Sequence, residues 1–146
     1  MPRIKVEAEI RPTEDEEKVR RAVLNVFDPL TMEIVEYGER RLLVAESHTY
    51  RSLRKLHNLL RRERILDAAR KYLRRGTGGN LVIFKLNKQA AYMGHVSFVD
   101  ADHESPLGAI TFIIETSSPG ELIDWLAPKT SRGKPLWERD VPRDTV

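Results

Sequence analysis

Residues 3–10 alternate strictly. Ile4, Val6, Ala8 and Ile10 are apolar, and Arg3, Lys5, Glu7 and Glu9 stand between them. That two-residue period predicts a strand with one buried face. The pattern then changes period. Val19, Ala22, Val23, Val26 and Phe27 recur at helical spacing and predict a helix of about 14 residues. Thr13 and Glu16 have the spacing of a capping box at its start, with Glu14 and Asp15 placed for the positive end of the dipole. Asp28-Pro29 ends it. Residues 31–37 and 42–47 read as two strands joined by a hairpin turn at Tyr37-Gly38-Glu39-Arg40.

Leu53, Leu56, Leu60, Ile65, Leu66, Ala69 and Leu73 form a helical stripe that runs to Gly76. Its phase slips near Arg61–Arg64, which fits two helices or one kinked helix. Thr77-Gly78-Gly79-Asn80 reads as a loop, and 81–87, 93–99 and 109–116 as three more strands. Ser118-Pro119-Gly120-Glu121 opens a last helix whose apolar face is Leu122, Ile123, Trp125 and Leu126. From Pro128 the chain is polar and carries Pro128, Pro135 and Pro142. The expected division is one domain over 1–127 and an extended polar tail over 128–146. The order β-α-β-β-α(α)-β-β-β-α implies an α+β sandwich, a mostly antiparallel sheet with helices on one face.

The length of 146 residues suits one domain, and 40% hydrophobic content is enough to build its core. No cysteine is present, which excludes thiol catalysis, disulfides and thiolate metal sites. No apolar run approaches the roughly 18–20 residues of a membrane span, and the first residues lack a signal peptide's apolar stretch. A cytoplasmic protein without a membrane partner is the expectation.

Charge sharpens this picture once it is divided. Residues 51–75 hold ten bases and two acids, a net of +8, so the chain's +3 leaves −5 for the other residues. Arg51, Arg54, Lys55, Arg61, Arg62 and Arg64 must mostly face away from the leucine stripe, and Arg74 and Arg75 close the segment. A cationic face of this kind is what a phosphate backbone needs, because several charges displace condensed counterions together. Arginine outnumbers lysine 17 to 8. That bias suits bidentate phosphate contacts and equally the ion-pair networks of thermostable proteins. The competing reading is a protein-interaction or assembly module, such as a homodimer, in which the arginines pair with acids of the −5 body or of a second copy.

Weaker signals lie elsewhere. Asn87, Lys88 and Gln89, at a strand end, form a candidate second patch for a base edge or a phosphate, or else a plain turn. The glycines of 76–79 suit a helix cap and turn better than a nucleotide loop, since no Lys-Ser/Thr follows. Asp100-Ala101-Asp102-His103-Glu104 begins like a calcium loop, but Ser105 and Thr111 stand where glycine and the closing glutamate belong. His48, His57, His95 and His103 have no metal-ligand spacing, and no catalytic set assembles from spacing. Tyr92, Phe98 and Phe112 are candidates for base stacking on a sheet. Trp125 reads as core and Trp137 as an anchor or partner contact. No cofactor, metal or enzymatic activity is expected.

Five segments in order carry a resemblance. They are Glu7–Asp15, Leu66–Arg70, Leu86–Ala91, Pro106–Ile110 and Ile123–Thr130. Together they resemble the archaeal uncharacterised protein family 0201, over about residues 4–134. The resemblance implies a fold like that of the ribosomal protein that binds the small ribosomal RNA of the large subunit. It also implies kinship with domains predicted to bind RNA near the archaeal exosome. The family brings no catalytic residues. RNA binding by the segment 51–75 is therefore the leading expectation.

Overall fold

The computed structural model describes residues 1–101 and 107–145. Strand β1 (Arg3–Ile10) buries Ile4, Val6, Ala8 and Ile10 and turns its charged residues to the other face. Helix α1 (Glu16–Val26) follows. Strands β2 (Thr31–Tyr37) and β3 (Arg40–Ser47) close through a two-residue turn in which Gly38 has φ 59°, as a II′ hairpin needs. A 3₁₀ turn at Tyr50–Leu53 leads into α2 (Arg54–Arg62) and α3 (Leu66–Arg75). After β4 (Thr77–Gly78) and β5 (Leu81–Asn87) come α4 (Lys88–Tyr92), β6 (Phe98–Val99), β7 (Ala109–Glu115) and α5 (Pro119–Leu126). Strands β8 (Thr130–Ser131) and β9 (Lys134–Pro135) form a small separate hairpin.

The main sheet is antiparallel, in the order β2-β3-β1-β7-β5-β4, and β6 pairs the other end of β5. The register stacks one apolar row across it: Ala45, Val6, Phe112 and Phe84 are successive partners. Helices cover this face. Val19, Val23, Leu56, Leu60, Leu73 and Leu126 meet the row in one core, so the expected α+β sandwich with helices on one face is the fold. At Gly76 α3 and β5 pass so closely that a Cβ would stand 1.8 Å from the Ile83 carbonyl oxygen. Only glycine allows Ile83 N–H to bond Gly76 O at 2.9 Å.

The helical stripe divides into two helices at its phase slip. Ile65 N–H reaches back to Leu60 O at 3.1 Å across Arg64, whose φ is 57°, the geometry of a left-handed helix cap.

Four local expectations are corrected. The cap of α1 is Asp15, whose carboxylate accepts from Glu17 N–H at 2.9 Å, and not Thr13. Residues 77–78 are a short strand and not part of a loop. The span 93–99 is strand only at Phe98–Val99. Ahead of it, Asn87 accepts from Ala90 N–H at 2.9 Å and starts α4 where a turn stood in the sequence reading.

Past Pro128, beyond the β8–β9 hairpin, the chain returns over the helices. Val141 packs on the core, and the Asp144 carboxylate accepts from Tyr50 N–H at 2.9 Å. The acid-rich loop read as a failed calcium site lies largely outside the described residues.

Candidate nucleic-acid interface

The cations of 51–75 divide by what they touch. Arg61 is turned inward. Its guanidinium donates to the carbonyls of His57, Leu126 and Trp125 at 2.9–3.1 Å and grips the Glu138 carboxylate at 2.7 and 3.0 Å. That bond holds the Glu138 carboxyl below the usual carboxylate range. Arg70 donates to Asp124 and to Ala127 O, each at 3.0 Å. Both arginines are spent on internal ties, Arg61 to the end of α5 and to Glu138 and Arg70 to α5 and its cap, so Arg61 is removed from the expected phosphate contacts.

Lys55, Arg62 and Arg75 are exposed but engaged. Lys55 bonds Leu24 O at 2.7 Å and Asp28 at 3.0 Å. Arg62 bonds Gly94 O at 2.7 Å. Arg75 bonds Asp100 at 3.0 Å and lies over the Tyr72 ring. Arg51, Arg54, Arg64, Lys71 and Arg74 remain. Each is exposed, and among the described residues none makes a side-chain hydrogen bond or ion pair. Lys71 was not among the expected contacts. Its only sequence signal is its place in the basic run.

Arg51 and Arg54 line a shallow cleft with Lys55, Asn58 and Asp28, at the start of α2. The leucines decide this orientation. Leu53, Leu56 and Leu60 are fully buried, so residues between them must face water.

The second patch does not form. Lys88 is buried, and its ammonium donates to Glu9 O (2.6 Å), Leu107 O (2.6 Å) and the Glu14 carboxylate (3.0 Å). Its three donors are used, and burial pulls its pKa down. Asn87 is spent as a helix cap. Gln89 borders a cleft of about 550 Å3 between α1 and α4, together with Lys18, Lys88, Tyr92 and Met93. His95 does not join them. Its Nδ1 meets Glu63 at 2.6 Å, which lowers the Glu63 pKa.

The face of the sheet away from the helices offers little to RNA. Most of its charges pair with one another, Lys5 with Glu7, Arg3 with Glu46 and Arg40 with Glu9, and Glu33 and Glu115 beside them are acidic. The aromatics expected to stack bases are elsewhere: Phe112 is fully buried and Phe98 lies against Tyr72, centroids 5.0 Å apart. Among the described residues no group of three or more His, Asp or Glu side chains is placed to hold a metal, and no helix is long and apolar enough to cross a membrane.

Comparison with known proteins bears on these cations. A family model described as RNA binding matches residues 3–116. A UPF0201 protein of Metallosphaera sedula is 56% identical over 144 residues, 99% of this chain and 100% of that protein. One from Aeropyrum pernix is 53% identical over 141 residues, 96% of this chain and 94% of the relative. The crystal structure of a UPF0201 protein from Methanococcus jannaschii superposes with a TM-score of 0.80 at 34% identity, covering 92% of this chain and 98% of the other. A DUF54 protein from Methanothermobacter thermautotrophicus shares the fold at 23% identity, with a TM-score of 0.56 over 84% of this chain and 92% of its own.

Proposed function

The chain belongs to the UPF0201 family, and from that membership we propose a non-catalytic RNA-binding protein that holds the phosphate backbone on its helical face. The contacts in this reading are Arg51, Arg54, Arg64, Lys71 and Arg74, with Lys55, Arg62 and Arg75 beside them. One observation carries it: these five cations are exposed and have no internal partner among the described residues. Side chains kept for ion-pair stability would be engaged as Arg61 and Arg70 are. Backbone contacts of this kind position RNA without reading its sequence.

The RNA-binding description of the matched family supports the class of partner. The resemblance to a ribosomal RNA-binding fold directs the search first to ribosomal RNA and its processing in the cytoplasm. Lys88 and Arg61 take no part, since both are consumed internally.

The test is a filter-binding titration of the full chain with pooled RNA across a range of salt. Five phosphate contacts on single strands, at about 0.7 each, give a log–log slope no shallower than about −3.5. No binding at low salt would sink the reading.

A further inference from the structure

The β8–β9 hairpin lies beyond the span of the RNA-binding family model, which ends at residue 116. Residues 128–137 carry Lys129, Arg132 and Lys134 and no acid. All three cations are exposed, and among the described residues their side chains have no hydrogen bond or ion pair. Two-residue strands do not hold a hairpin in water unaided. Leu136 N–H donates to Lys129 O at 2.8 Å and continues the hairpin's ladder by one rung. The tie from outside is the Thr130 hydroxyl, which donates to Asp67 in the first turn of α3. That bond also occupies one of the two carboxylates of the basic segment.

Asp67 stands three residues after Arg64, which limits their Cα separation to about 11 Å. The hairpin base is thereby seated beside the α2–α3 turn. Backbone conformation links the two places as well. Arg64 (φ 57°) and Arg132 (φ 54°) are the two non-glycine residues with left-handed backbone among those described. Glycine or asparagine suits such positions best. At Arg132 the tight turn demands the conformation, and Gly133 beside it has φ 79°. An arginine at each site strains the backbone and gains no internal bond in return.

We propose that the β8–β9 hairpin is a second RNA-gripping element. Lys129, Arg132 and Lys134 extend the helical patch past Arg64 into one cationic rim that follows the phosphate backbone. The proposal rests on the RNA-binding reading above and adds to it a surface outside the matched family domain. Left-handed arginines at two turn tips carry their charge outward, where no carboxylate among the described residues meets it.

The experiment uses the full chain and a labelled pool of random-sequence oligoribonucleotides, titrated across salt, with thermal melts of every variant. Three added contacts steepen the wild-type slope to about −5.6. The variant K129Q/R132G/K134Q then loses about 2 from the slope and keeps its Tm. A second variant, R64G/R132G, relieves both left-handed positions. It loses about 1.4 from the slope while its Tm holds or rises. The separate variant R51Q/R54Q reports on the helical patch. If R51Q/R54Q weakens binding, K129Q/R132G/K134Q binds with the wild-type slope and R64G/R132G loses only the about 0.7 of Arg64, the hairpin proposal is overturned and the RNA reading stands. If the wild-type chain does not bind the pool, both fall together.

Discussion

Lys88 shows how far one side chain's role depends on what closes over it. Its side chain is 4% exposed and that of its partner Glu14 is 7% exposed. Two charges withdrawn from water to this degree persist because every donor of the ammonium is met, by two carbonyls and the carboxylate. Lys88→Met strips the buried Glu14 of its ammonium partner, leaving it the Arg11 N–H bond, and costs about 3–5 kcal/mol in urea denaturation. The double variant K88M/E14Q recovers most of that loss. Neither change alters the RNA salt slope, because Lys88 presents no charge to solvent. An equal loss in the double variant would contradict the pairing. From sequence alone Lys88 belongs to a surface patch or a plain turn, since a lysine at a strand end carries no periodic mark of burial. Burial there comes from the turn before α1, which brings Glu14 inward, and that same turn passes the capping role from Thr13 to Asp15.

At the scale of elements, the C-terminal segment is held by α2. The Arg61–Glu138 pair is its main polar tie, with Asp144 on Tyr50 N–H at the far end. Glu138 has its pKa lowered in the fold by the Arg61 bond. Its stabilising contribution is therefore present above the unfolded carboxylate pKa, and is lost as pH falls through the lower folded value. The wild type accordingly loses more Tm than Glu138→Gln on acidification through that window. Parallel curves for the two proteins would rule the tie out. Arg61→Gln leaves inward-facing carbonyls unmet and costs about 1–3 kcal/mol, again with little change in RNA slope.

Elements with a long period were legible in advance. The alternation of β1, the leucine stripe of α2 and α3, and its slip at Arg64 all report one buried face. Short elements were not. α4 has five residues and no repeating face, and its one signal is Asn87 three residues ahead of Ala90. Val96 and Phe98 imitate a strand with only two apolar positions, and pairing is confined to Phe98–Val99. The two strands of β8–β9 are too short to carry any period, and the Thr130 bond to Asp67 of α3 seats them.

Across the whole molecule the net charge of +3 hides an uneven surface. The sheet's open face pairs its arginines and Lys5 with carboxylates. Half of the basic segment is tied to carbonyls and carboxylates, and the other half faces water with no partner among the described residues. The division of charge was readable from sequence. Which arginines were free was not, because Arg61 and Arg70 differ from Arg51 and Arg54 only in what packs against them after folding. Charge that folding leaves unmatched is available to a polyanion, and long-range attraction to RNA follows from it.

The most direct test compares the wild type with Arg51→Gln/Arg54→Gln in RNA titrations over salt, alongside thermal melts. The expected result is an unchanged Tm, weaker binding at every salt concentration, and a slope shallower by about 1.4. A wild-type slope near zero, or a variant that binds with the wild-type slope, would contradict it.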